Sequence, residues 1–204
     1  MKRAVIDMTS DPRRAQFALF RGYRVPYVGV SAEVDVTRLR ARELPFFLTL
    51  LHCAIGAANA VPELRRRIVG EQVVEYDACL SSHTVALPDG TYTYCTLDCA
   101  QPLERFLPYA AAEVERAKAQ RALDDGEDPA SLFFVSSLPW LRFTDLTLPV
   151  PEPPDSNVRI TFGQFFPRDG RVLLPVNLTA HHALADGIHL ARFFEELSRR
   201  LDDL

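Results

Sequence analysis

The chain has 204 residues, 48% hydrophobic and 25% charged, enough for one sizeable core in a single domain. Its net charge of −4 offers no basic footprint for nucleic acid, and no apolar run is long enough for a membrane span. The four cysteines, Cys53, Cys79, Cys95 and Cys99, form no Cys-x-x-Cys pair and have no histidines at zinc-finger spacing, so neither a structural metal nor a disulfide framework is expected.

The first residues, Met1 to Asp7, reach an acidic side chain too soon for a signal peptide, and a cytoplasmic protein is expected. Residues 13–20 read as a short helix, with Ser10-Asp11-Pro12 at its N-cap and first turn. Alternation through Val28, Val30, Ala32, Val34 and Val36 predicts a strand within residues 25–36. Thr37 then caps one long helix towards Ala60, which buries Phe47, Leu48, Leu51, Ile55 and Ala58 and stops at Pro62.

Residues 73–76 read as a strand, and residues 84–87 and 92–96 as a hairpin around Pro88-Asp89-Gly90. A helix with a charged face is predicted over residues 102–123, followed by an exposed acidic loop from Asp124 through Glu127 to Pro129. After a short strand at residues 132–136 comes a proline-rich surface connector at residues 148–154. Residues 158–165 and 172–178 form the clearest hairpin, around Pro167-Arg168-Asp169-Gly170. The last helix buries Leu190, Phe193, Phe194, Leu197 and Leu201, with Glu195, Glu196, Arg199 and Arg200 outside. Strands and helices mixed without βαβ alternation predict an α+β fold, a mixed sheet flanked by helices. Residues 1–204 are read as one domain.

The chemistry concentrates at His181-His182-Ala183-Leu184-Ala185-Asp186-Gly187, at the mouth of that last helix. An imidazole can serve as a general base near neutral pH. A carboxylate four residues on can lock the backbone, and glycine permits the turn. Asp186 could equally be a simple N-cap.

Together with this motif, three further segments make the chain resemble the chloramphenicol acetyltransferase family almost end to end. They are Arg13-Arg14-Ala15-Gln16-Phe17, Pro62-Glu63-Leu64-Arg65 and Phe134-Val135-Ser136-Ser137-Leu138-Pro139-Trp140. The resemblance implies a two-layer sandwich of the coenzyme A-dependent acyltransferases, with acetyl-CoA as acyl donor and chloramphenicol or a related small alcohol or amine as acceptor. Antibiotic resistance would follow from chloramphenicol as acceptor. In that family His182 corresponds to the general base and His181 to a structural residue. Ser136 corresponds to the donor to the tetrahedral oxyanion and Thr161 to a contact made through water. Asp186 pairs with an arginine of the first helix, here Arg13 with Arg14 as the rival; breaking such a pair when buried costs about 3–5 kcal/mol.

Trp140 matches the wall of the coenzyme A tunnel, and Phe20 and Tyr27 fall in the acceptor-pocket stretch. The family implies a homotrimer with active sites between subunits. The chain departs from the family at Asp11-Pro12, Thr179, Gln164 and Phe165, and at Tyr23, Arg24 and Tyr27. Two alternatives remain open. A condensation domain of peptide synthetases shares the histidine motif but is about twice as long, and a lapsed relative would act as a binding or assembly module.

Overall fold

A computed structural model describes residues 1–126 and 128–204; Glu127 of the expected acidic loop lies outside the described residues. In chain order the elements are β1 (Arg3–Ile6), α1 (Arg14–Phe20), β2 (Tyr27–Asp35), α2 (Thr37–Ala41), α3 (Phe46–Asn59), β3 (Arg66–Val69) and β4 (Gln72–Tyr76). Then follow β5 (Leu80–Ala86), β6 (Tyr92–Leu97), α4 (Leu103–Gln120), β7 (Leu132–Ser137), β8 (Arg159–Phe162), β9 (Phe166–Arg168), β10 (Arg171–His181) and α5 (Gly187–Asp202). The main sheet runs β2-β10-β8-β7-β5-β6, with β9 beside β10. It is mixed, because β7 lies parallel to both β5 and β8 while β10 is antiparallel to β2, β8 and β9. The fold is α+β, as the sequence indicates. A second, three-stranded antiparallel sheet, β1-β4-β3, stands beside it.

Two neighbouring rows across the main sheet explain its orientation. Val135, Ile160 and Leu178 are lateral partners and all are buried in the core with α3 and α5. One residue on, Ser136, Thr161, Asn177 and Ser31 form the next row. Successive side chains on a strand point to opposite faces, so the helices cover the apolar face and a polar row lines the other. α5 presses Leu190, Phe193, Leu197 and Leu201 into the apolar face, against α3 and β2.

Three expectations need correction. The single helix over residues 37–60 is two helices, α2 and α3. Pro45 breaks it, since a proline drives the residue before it out of the helical region, and Pro45 itself stands at the N-cap of α3. Thr37 is the first residue of α2 rather than its cap, and Asp35 Oδ1 accepts its hydroxyl at 2.5 Å. The last hairpin is also subdivided. β8 ends at Phe162, and the tight turn joins β9 to β10 through Asp169 (φ 50°) and Gly170 (φ 77°), the paired left-handed conformation that suits a two-residue hairpin loop. Finally, α1 proper begins later than expected, with Arg13 at its N-cap and no side-chain bond there, while Asp11 Oδ1 accepts from Arg13 N at 2.8 Å and so caps the turn that leads into the helix.

The core contains buried polar groups that no hydrophobic pattern announces. Arg67 is fully buried and donates to the carbonyls of Leu64, Arg66, Ala130 and Leu132 at 2.7–3.0 Å, thereby anchoring the start of β7. His83 on β5 is 2% exposed. Its ring lies 5.2 Å from that of Phe47, and among the described residues neither ring nitrogen has a partner at full hydrogen-bond geometry. Burial pushes its pKa down to about 4, offset slightly by the Cys95 backbone. Burial likewise takes His181 to about 4, with Asp155 opposing and His182 reinforcing the shift.

Both histidines stay neutral in the fold down to about pH 4, whereas the unfolded chain takes up their protons near pH 6.5. Their contribution is present above that value and is lost as the pH falls towards 4. Lowering the pH from 7 to 5 should therefore remove about 1–2 kcal/mol per histidine, read from urea unfolding midpoints. His83→Phe should flatten that dependence, and an unchanged slope would refute the assignment for His83. Phe193→Ala should cost about 3–5 kcal/mol in the same assay, because the ring is fully buried and leaves a cavity.

Candidate active site

β10 runs out of the sheet at His181, and the turn His182–Ala185 leads directly into α5. The His182 backbone is held from two sides. Its N–H donates to Pro26 O at 2.6 Å, and its carbonyl accepts from Arg13 Nη2 at 3.0 Å. The same arginine forms an ion pair through Nη1 with Asp186 Oδ2. Arg13 is therefore the partner, while Arg14 is exposed. Burial alone would raise the Asp186 carboxyl; the Arg13 hydrogen bond and charge, with His189 and the Ile188 amide, outweigh it and hold the group below the usual carboxylate range. Asp186 is also the N-cap of α5, accepting from Ile188 N at 3.3 Å, so pairing and capping coexist on its two oxygens. His189 completes the capping box, with Nδ1 accepting from Asp186 N at 3.0 Å. Its other nitrogen stands 3.6 Å from Glu63 Oε1.

The imidazole of His182 is oriented as firmly as its backbone. Nδ1 lies 2.9 Å from Ala185 O. A carbonyl can only accept, so Nδ1 carries the proton and the neutral ring has its lone pair on Nε2. The ring stacks on Phe20 with centroids 4.0 Å apart, which fixes its plane. Neighbouring His181 is buried and accepts from Ala183 N at 3.2 Å, a structural role.

Ser136 and Thr161 are lateral partners on β7 and β8. Thr161 is 1% exposed, and its hydroxyl has no hydrogen-bond partner among the described residues. Two cavities open at this row. The larger, about 1160 Å³, is lined chiefly by apolar side chains, among them Phe47, Val85, Val114, Phe162, Leu174 and Trp140. It has the breadth and apolar character that a pantetheine arm requires. The smaller, about 290 Å³, is lined by polar groups including Thr161, Tyr94 and Asp125. Ser136 belongs to the wall of both. Trp140 is 71% exposed at the rim of the larger cavity. Its turn is pinned by Gln164 N donating to Leu141 O at 2.8 Å and by Gly163, where a Cβ would come within 2.9–3.0 Å of Phe143 and Leu141 O.

The residues expected to act together thus fall into two groups. Arg13, His182, Asp186 and Phe20 form one cluster, while Ser136, Thr161 and Trp140 form another. Thr161 faces Asn177 on β10; from there the strand continues to its end at His181, roughly 13 Å further at strand rise. His182 lines neither of the two cavities. Tyr27 lines neither as well: its hydroxyl donates to Asp155 O at 3.0 Å, and its ring meets His181 edge-on at 5.8 Å. Sequence reading missed His83 and Asp125 as cavity residues. His83 sits on a strand with no distinguishing pattern around it, and Asp125 reads as one charge among several in a solvated loop. Among the described residues no helix is long and apolar enough to cross a membrane.

The family model described as "Chloramphenicol acetyltransferase" matches residues 1–198. A chloramphenicol acetyltransferase of Streptomyces acrimycini is 33% identical over 210 residues, covering 98% of this chain and 94% of that protein. A solved chloramphenicol acetyltransferase superposes with a TM-score of 0.82 at 25% identity, over 98% of this chain and 100% of the other. The dihydrolipoamide acetyltransferase of Azotobacter vinelandii shares the fold, with a TM-score of 0.68 at 21% identity over 93% and 86% of the two chains. With its histidine turn, serine–threonine row and full-length match, the chain belongs to the chloramphenicol acetyltransferase family and is an acyltransferase.

Proposed function

We propose that this protein, a single coenzyme A-dependent acyltransferase domain over residues 1–204, moves an acetyl group from acetyl-CoA to a hydroxyl of a small molecule, chloramphenicol or a related acceptor. The observation that carries the reading is the His182 ring, held with Nδ1–H on a carbonyl and Nε2 unprotonated. Nε2 takes the proton of the acceptor hydroxyl as its oxygen attacks the thioester carbonyl. The carbonyl becomes a tetrahedral oxyanion, towards which the Ser136 hydroxyl donates. Thr161 reaches the same intermediate through a bound water, consistent with its unpartnered hydroxyl. Collapse breaks the C–S bond, and the departing thiolate recovers the proton from the imidazolium. Transfer is direct, with no acyl-enzyme, because no activated serine or cysteine accompanies the histidine. The donor occupies the apolar cavity past Trp140, and Ser136 on the wall shared by both cavities marks the place of the thioester carbonyl.

A base that stands about four strand residues beyond the serine row of its own chain serves a neighbour. This supports a homotrimer in which His182 of one subunit enters the site of the next, with Phe20 accompanying it against the acceptor. Cytoplasmic residence and a role in antibiotic resistance fit the reading.

Release of coenzyme A thiol from acetyl-CoA, followed with chloramphenicol and a panel of alcohols and amines, tests the chemistry. His182→Ala should lower kcat by about 10²–10⁴-fold. Thermal stabilisation by acetyl-CoA with no His182-dependent turnover of any acceptor would establish a lapsed binding module instead. Asp186→Asn should cost about 1–3 kcal/mol of stability, below the value for a fully buried pair, because Asp186 is 34% exposed. It should also lower kcat more than it raises KM for acetyl-CoA, as expected when a base loses its positioning. Equal kcat in the variant would show that the ion pair does not position His182.

A further inference from the structure

The smaller cavity has a charge that the sheet does not balance. Asp125 lies on its wall, where the side-chain partner of its carboxylate among the described residues is the Ser82 hydroxyl, at 2.5 Å. Arg159 is the cation on the same wall, but its two terminal nitrogens are engaged by Asp155 at 2.8 and 2.6 Å. The rings of Tyr92 and Tyr94 stack beside the cavity with centroids 5.9 Å apart. Burial raises the Tyr94 phenol, and the neighbouring Tyr92 and the Asp125 charge add to the effect. A carboxylate without a cationic partner among the described residues, next to two aromatic rings, is the arrangement that an ammonium group completes, by ion pairing and by contact with the aromatic rings. Independently, the buried Thr161 hydroxyl lines the same cavity without a partner, so the cavity also lacks a polar group at its Ser136 end.

We propose that the acceptor is an amine-bearing alcohol: its ammonium binds Asp125 beside the stacked pair Tyr92 and Tyr94, and the hydroxyl to be acetylated lies towards Ser136 and Thr161. This rests on the reading of the Ser136–Thr161 row as the place of acetyl transfer. The reaction is unchanged: one O–C bond forms, one C–S bond breaks, and the hydroxyl proton leaves with the thiol. What the carboxylate adds is selection for charge over a neutral amide such as that of chloramphenicol.

Chloramphenicol and its deacylated base make the cleanest pair of probes, because the base keeps the hydroxyls and exchanges the neutral amide for an ammonium. Thiol release should give the wild type at least a tenfold higher kcat/KM for the base than for chloramphenicol. Asp125→Asn should raise KM for the base at least tenfold more than KM for chloramphenicol. Ser82→Ala, which frees the carboxylate from its hydroxyl, should keep the preference for the base. A wild type that prefers chloramphenicol, or an Asp125→Asn variant that affects both acceptors equally, overturns the proposal. If no acceptor gives His182-dependent release, the acyl-transfer reading itself fails, and calorimetric titration with the base decides the cation site alone. Affinity reduced tenfold or more in Asp125→Asn sustains it; equal affinity overturns it.

Discussion

Strand β10 is the constraint on which the rest of the molecule depends. It pairs along both edges, with β2 on one side and β8 and β9 on the other, so its register cannot slip without moving the whole sheet. That register sends Val176 and Leu178 into the core and places Asn177 beside Thr161. The same strand then releases the chain at His181, where the histidine turn begins. A one-residue slip would exchange the two faces of β10 itself, turning Val176 and Leu178 out of the core and Asn177 and Thr179 towards the helices. Packing energy and site geometry are thus set by one alignment.

The turn that follows is held by charge as well as by the packing of Ala183 and Leu184 against Phe17 and Val73. Arg13 comes from the far end of the sequence and binds both the Asp186 carboxylate and the His182 carbonyl. It ties the residue before α5 to the residue after β10. Because Asp186 also caps the helix, rotation of its carboxylate would loosen the first turn of α5. The Ala185 carbonyl belongs to the same turn, and it decides the tautomer of His182. Backbone position, helix start and proton location are therefore coupled, and the His182 imidazole is held in a single state.

Much of this was legible in the sequence because the physics was local. Alternation revealed β2, helical spacing revealed α5, and Asp169-Gly170 marked the tight turn. The histidine motif marked the turn between β10 and α5, and the Ser136–Trp140 segment marked the end of β7 where the two cavities meet. The break at Pro45 was readable too, but the apolar spacing on either side of it suggested one continuous helix. The long-range partners left no such trace. Nothing around Arg67 announces that it will be buried under backbone carbonyls from two separate segments, and nothing in the run Ser81-Ser82-His83-Thr84 distinguishes the face turned to the helices from the face turned to Thr161. Asp125 lay in a stretch whose composition reads as solvated loop. The separation of His182 from Ser136 was equally hidden, because it depends on how far along β10 each partner strand extends.

The unpartnered groups in the fold carry the final argument. A buried hydroxyl without a hydrogen bond costs about 1–3 kcal/mol, and a neutral imidazole in apolar surroundings carries a comparable penalty. The core around α3 and α5 is extensive enough to sustain such costs, but a merely structural sheet would have no reason to retain them. Thr161 stands one strand over from Ser136 and next to the smaller cavity, while His83 reaches the larger one from the helix face. Under the proposed transfer, a water, a donor amide or an acceptor hydroxyl would satisfy these groups. Groups already desolvated and aimed need not reorganise at that moment, so in the proposed transfer the same polar placements that weaken the fold would favour the developing charge.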